Sequence, residues 1–197
     1  VNVLEWFANS GYEFKYDEGA IECACSNGHV NVLEWFANSD YEFKYEDMYA
    51  INNACSNGHV NVLEWFANSG YEFKYDEGAI NYASGNGHID VLEWFANSEY
   101  EFKYDVYAIS NASENGHVNV LEWFLSNNKN VPYSDLSLIN ASKNGHVNVL
   151  EWWWNLQKLC ATDICDSTYR EIFKYQKNMI HDVCENGHED VLEWWVN

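Results

Sequence analysis

Positive charge is scarce in this sequence. Ten Lys and Arg stand against 31 Asp and Glu, a formal net charge of −21. A field of that sign repels phosphate backbones, so sequence-independent nucleic-acid binding is disfavoured, while basic partners are attracted. No apolar run approaches the roughly 18 residues of a membrane span. The opening Val-Asn-Val-Leu-Glu-Trp has no basic start followed by a small-residue cleavage site, so no signal peptide is visible. Gly-rich phosphate loops, nucleophile elbows and His-Glu-x-x-His are all missing. No catalytic residue, cofactor or metal is therefore expected. Proline occurs once, as Pro132 in a connecting stretch where its missing amide does no harm.

Aromatic and repeated sequence is abundant. Aromatics make up 17% of the residues and ten are Trp, which argues against disorder. Asn-Gly-His recurs at Asn27, Asn57, Asn86, Asn115, Asn144 and Asn186, in steps of 30, 29, 29, 29 and 42 residues. Each copy is followed by an apolar run that includes Leu-Glu-Trp. A period of this size marks a stack of small helical units. Asp17, Asp47, Asp76, Asp105 and Ser134 keep the same spacing and are expected N-caps of a short first helix. On that helix Ile21, Ala24, Cys25 and Gly28 form a narrow stripe of small residues. The Gly of Asn-Gly-His ends it in the left-handed C′ conformation. A second helix follows, with Val32, Leu33, Phe36 and Ala37 on one face, Trp35 on its flank, and Asn31, Glu34 and Asn38 towards water. Tyr-Glu-Phe-Lys-Tyr, starting at Tyr12, Tyr41, Tyr71 and Tyr100, reads as an extended connector with one buried edge.

These features divide the chain into a partial repeat 1–16, repeats 17–46, 47–75, 76–104, 105–133 and 134–154, an inserted segment 155–172 and a last repeat 173–197. Val1 falls in mid-repeat and no polar cap closes the far end, so neighbouring repeats of a longer array are expected at both ends. In the insertion, Asn155 to Cys160 extends the helix by one or two turns and Ala161 to Tyr169 forms a loop. Trp152-Trp153-Trp154 cannot all be buried in the stack: either the insertion folds back over them or they form an exposed binding patch. Cys25 and Cys55 share a column with Ser84, Ser113 and Ser142, a small-residue packing position and not a disulfide framework. The six cysteines read as reduced thiols, which fits a cytoplasmic location.

The short helix of small residues, the Gly-His turn and the Val-x-x-Leu-type second helix resemble the ankyrin repeat. Ala20-Ile21-Glu22-Cys23-Ala24-Cys25 falls where ankyrins carry Pro-Leu-His-Leu-Ala-Ala, and Asn27-Gly28-His29 falls on their Asn-Gly-His turn. The recurring Val-Leu-Glu-Trp-Phe and Tyr-Glu-Phe-Lys-Tyr wording is similar to the ankyrin proteins of giant amoeba-infecting DNA viruses. The resemblance implies an all-α, ankyrin-type helix-turn-helix solenoid of 29–30-residue repeats. The ankyrin period is about 33, so the connecting fingers should be shortened to tight turns. Thr-Pro at the first-helix start is absent, as Gly19-Ala20 and Tyr49-Ala50 show, and only His181 stands in the column of the family's first-helix His.

The resemblance further implies a protein-protein interaction scaffold using the turns and the exposed face of the first helices. Comparison between copies points to the same face, because the second helices are near-copies while the first helices vary off their apolar stripe. Met48, Tyr49, Asn52, Asn53, Asn81, Tyr82, Tyr107, Ser110, Asn111, Glu114, Ile139 and Lys143, with Trp153 and Trp154, are the candidate partner-binding residues. Drift explains any one of them equally well; the surface as a whole is the better candidate. A viral host-directed adaptor in the host cytoplasm is the reading this suggests, and a self-associating particle component is the alternative. The repeated His29, His59, His88, His117, His146 and His188 fall one repeat apart, about 8–10 Å. That is too far to share one zinc, so a tie to the turn backbone is expected. His181-x-x-Cys184 shares a helix face but lacks further ligands.

Overall fold

The computed structural model describes residues 2–127, 129, 131, 132, 134–160 and 177–196. Among these residues all regular structure is α-helical, in thirteen helices: α1 (Asn2–Asn9), α2 (Gly19–Ser26), α3 (Val30–Ala37), α4 (Asp47–Ser56), α5 (Val60–Ser69), α6 (Glu77–Gly85), α7 (Ile89–Asn97), α8 (Val106–Glu114), α9 (Val118–Ser126), α10 (Asp135–Lys143), α11 (Val147–Cys160), α12 (Lys177–Asn186) and α13 (Glu189–Val196). Even-numbered members are the short first helices, and each odd-numbered helix from α3 onward follows through Asn-Gly-His.

Capping explains where the first helices start. The Asp105 carboxylate accepts from Tyr107 N at 2.8 Å, and Ser134 Oγ accepts from Leu136 N at 3.2 Å. Asp76 accepts from Gly78 N in the same way; Asp17 also accepts from Gly19 N, but the N-cap position of α2 falls one residue later, on Glu18, which makes no side-chain capping bond. The expected cap at Asp47 is corrected by the structure. Asp47 lies inside α4, and Glu46 occupies the N-cap position with no side-chain capping bond. The cap still falls directly after the Tyr of Phe-Lys-Tyr, so the one extra residue between that cap and Ala50 enters the helix, which runs to ten residues.

The turn between helices is a Schellman arrangement. Gly28 has φ +68°; His29 N donates to Ala24 O at 2.8 Å and Gly28 N to Cys25 O at 3.2 Å. The left-handed residue thus satisfies carbonyls that the helix end leaves open. A Cβ on Gly28 would also stand 2.7 Å from Nδ1 of His59, so the ring of the next repeat fills the space that glycine leaves.

By contacts the chain divides into two compact units, Val1–Ile80 with Asp90–Lys103, and Asn81–Ile89 with Tyr104–Asn197. In the first, α2 packs on α3 and α4, and α5 on α3 and α4; Ile21, Ala24, Cys25, Leu33, Phe36, Leu63 and Phe66 are buried between them. In the second, α8 packs on α9 and α10, α10 on α11 and α12, and α11 on α9 and α13, enclosing Ile109, Leu121, Phe124, Leu150 and Trp153. Burying each such Leu, Ile or Phe contributes about 1.5–3 kcal/mol.

The connectors are irregular backbone braced by their aromatics. In the first unit Tyr16, Tyr45 and Tyr75 donate their hydroxyls to the carbonyls of Glu42, Glu72 and Glu101, each in the following connector. Trp35, Trp65 and Trp94 are half-buried and belong to this layer. Trp65 stacks on Tyr71 and Phe43, and Trp94 on Tyr100 and Phe73. The neighbouring Phe takes the core position, where Phe36, Phe66 and Phe95 are at most 2% exposed. After Trp154, α11 continues to Cys160, the expected extension of one or two turns. The expected loop from Ala161 to Tyr169 lies outside the described residues.

Candidate functional site

The first helices carry the exposed variable side chains, most of them in the first turn. In the first compact unit Met48 and Tyr49 stand in the first turn of α4; Tyr49 is 58% exposed. Asn53, one turn on, is half-buried. In the second unit Tyr82 on α6 and Tyr107 on α8 are 53% and 55% exposed, and Lys143 at the end of α10 is exposed. Asn111, Glu114 and Ile139 are half-buried around them. Asn140 Nδ2 donates to Glu114 Oε2 at 2.8 Å, which fixes that carboxylate.

Four sequence candidates do not belong to this face. Asn52 is 8% exposed and donates to Asp76 Oδ1 at 2.7 Å. Asn81 is equally enclosed; it donates to Asp105 Oδ1 at 2.8 Å and receives Asp105 N at 3.3 Å. Ser110 is buried and returns its hydroxyl to Val106 O. These three share one column, and in the two Asn positions the cap residue of the next repeat reaches over it. Trp153 is fully buried in the Phe column, with Nε1 3.4 Å from Ser113 Oγ. Of the three consecutive Trp, Trp152 is half-buried and Trp154 is exposed, with the Lys158 ammonium 4.9 Å from its ring centroid.

The sequence reading also missed a member. Leu136, 46% exposed, stands in the column of Tyr49 and Tyr107. The signal was available: that column reads Gly19, Tyr49, Gly78, Tyr107, Leu136, large and apolar where it is not Gly.

The repeated His side chains are packing groups of the turn. His117 is hydrogen-bonded to the Gly85 backbone, and its pKa is lowered by burial and by the neighbouring His146 and His88. Burial pushes the Cys25 thiol up to about 12 and raises Cys55 as well, so neither is a thiolate at neutral pH. Cys23, Cys25, Cys55 and Cys184 are free. One group among the described residues offers three possible metal ligands within 4.8 Å: His181, Asp182 and Glu185 on α12. His181 Nδ1 is 3.7 and 3.9 Å from the two carboxylates, on a helix face open to water. The companions of His181 are thus carboxylates, not Cys184.

Residues 21–108 match the family model of ankyrin repeats, in three copies. Among solved structures, the human ASB11 ankyrin repeat domain is similar over 85% of this chain and 83% of that one, at 18% identity and a TM-score of 0.50. That likeness concerns the fold. No curated protein sequence matches the chain. No described helix is long and apolar enough to cross a membrane.

Proposed function

We propose that this chain, an all-helical ankyrin-repeat fold, binds a partner protein through the exposed face of its first helices. Ankyrin repeats are in general protein-interaction modules. The observation that carries the reading is the placement of Met48 and Tyr49 in one unit, and of Tyr82, Tyr107 and Leu136 in the other. Large apolar side chains are solvent-exposed there at the positions that differ between copies. Rigid aromatics of this kind are the usual anchors of interfaces. The repeat wording, similar to that of giant amoeba-infecting DNA viruses, supports an adaptor directed at a host protein.

The experiment is capture from amoebal lysate by immobilised chain, wild type against Tyr49→Ala with Tyr107→Ala. A partner held by wild type and reduced about tenfold or more by the pair supports the reading, since an interface anchor is worth about 2 kcal/mol. Undiminished capture contradicts it. A second reading, self-association, is favoured by Val3, Trp6 and Phe7 of α1, which are exposed at 67%, 58% and 41%. It predicts a molar mass by light scattering that rises with concentration and returns to that of one chain in Trp6→Ser.

A further inference from the structure

The second-helix side of the first compact unit repeats a groove that packing does not require. Three neighbouring clefts open there. One of about 700 Å³ is lined by Ala8 and by Asn31, Glu34, Trp35, Asn38 and Tyr41 among others. Between α3 and α5, Glu34, Ala37 and Asn38 face Trp65, Ser69 and Tyr71 across about 380 Å³. Between α5 and α7, Ala67 and Asn68 face Asp90, Glu93, Trp94 and Tyr100 across about 730 Å³. Each cleft presents the same chemistry: a carboxylate, an indole and a phenol.

Structural duty accounts for some of these repeated residues and not for others. Asn38, Asn68 and Asn97 donate to the carbonyls of Glu34, Glu64 and Glu93, and Ser39 and Ser69 close the helix ends. The indoles are held rigid: Trp35 on Tyr41, Trp65 on Tyr71 and Trp94 on Tyr100 stack at 5.7 Å and within 20° of parallel. The carboxylates of Glu34 and Glu93, which line these clefts, and of Glu64, which lines an adjoining opening with Trp65 and Asn68, have no such role. They are exposed, and no Lys or Arg among the described residues pairs with them. No Lys or Arg lines any of the clefts, whereas Asp40, Asp90 and Glu99 add further negative charge. The cations of this unit sit elsewhere, on the connectors, where Lys44 and Lys103 lie 5.2 and 4.9 Å from the Tyr16 and Tyr75 ring centroids.

We propose that this row of clefts is a docking surface for a basic polypeptide segment, one Lys or Arg side chain entering each cleft between a Glu carboxylate and a Trp–Tyr plate. The carboxylate supplies charge and the ring a face for the cation, a combination stronger than either alone. Spacing selects the ligand further. Adjacent packed helices are about 8–10 Å apart. A polyproline II segment has three residues per turn and rises about 3.1 Å per residue, so every third side chain returns to one side after about 9 Å. A cation at every third residue therefore matches the row. A run of consecutive cations does not, although the net charge of −21 would attract both. This surface lies on the second helices and does not rest on the first-helix reading.

The test is calorimetric titration with two synthetic peptides of equal composition. In one, three Lys-Pro-Pro units repeat; in the other, three Lys precede six Pro. The proteins are wild type, a cleft variant (Glu34→Gln, Glu64→Gln, Glu93→Gln) and a charge control on the connectors (Glu13→Gln, Glu42→Gln, Glu72→Gln), each checked for native helicity by circular dichroism. Wild type is expected to bind the repeating peptide about fivefold or more tightly than the block peptide. The cleft variant should lose about tenfold in that affinity, and the charge control less than about twofold. Equal affinity for the two peptides, equal losses in the two variants, or no binding at all would overturn the proposal.

Discussion

The hydroxyl of Ser84 is buried with no hydrogen-bond partner in the protein. Its column reads Cys25, Cys55, Ser84, Ser113, Ser142, and the copies differ in what the next repeat brings to it. Ser113 receives the Nε1 of Trp153 at 3.4 Å, and Ser142 that of Trp195 at 3.3 Å. Trp and Ser therefore go together in this column, and Ser84 has the hydroxyl without the indole. An unsatisfied buried polar group costs about 1–3 kcal/mol, so Ser84→Cys should stabilise the fold and Ser113→Ala should destabilise it by that amount. Urea midpoints of the two variants provide the check. A Ser84→Cys protein less stable than wild type would show that the hydroxyl has a role the structure does not reveal. Gly85 beside it is held for space: a Cβ there would stand 2.9 Å from Cβ of Asn111, although other copies carry Ser26 and Ser56 in that column.

Helices, turns and core columns were legible in the sequence because each is set by a local rule repeated in every copy. The Gly of Asn-Gly-His is an example. Gly116 has φ +77°, and a Cβ on it would lie 2.7 Å from Nδ1 of His146. Gly116→Ala should thus meet both a left-handed backbone penalty and a clash, together about 2–4 kcal/mol. Thermal unfolding that leaves this variant within about 0.5 kcal/mol of wild type would refute the assignment. What was not legible depends on the neighbouring repeat. Asn52 and Asn53 are consecutive and look equally exposed on a helical wheel. Only the structure shows that Asp76 of the following repeat closes over Asn52 and leaves Asn53 partly open. Trp35, Trp65 and Trp94 are a further case: the sequence places them on the flank of the second helix, and only the structure shows the connector aromatics holding them in a half-buried stack of their own. The shift of the α4 cap to Glu46 belongs to the same class, since counting from Asp-to-Asp spacing cannot say which residue of a longer repeat enters the helix.

At the scale of the molecule, an acidic chain is held together by groups that are mostly uncharged, and one of them, His117, contributes to its pH response near neutrality. His117 is favoured in its neutral form, with a folded pKa below the ordinary 6.5, by burial first and then by His146 and His88. A depressed folded pKa means that the unfolded chain binds the proton more readily. The stabilising contribution is complete above the unfolded value and is lost as pH falls through the folded one. Between pH 7.5 and 5.5 wild type should therefore lose more stability than His117→Gln, as compared by urea denaturation at both values. Equal losses would remove His117 from the account. The central claim is that a captured partner protein is held at the exposed first-helix positions. Hydrogen–deuterium exchange of the chain, free and bound to a captured partner, tests it most directly. The account predicts new protection over residues 47–50, 106–108 and 135–137, where Tyr49, Tyr107 and Leu136 stand; protection confined to the second helices, with none at these first turns, would contradict it.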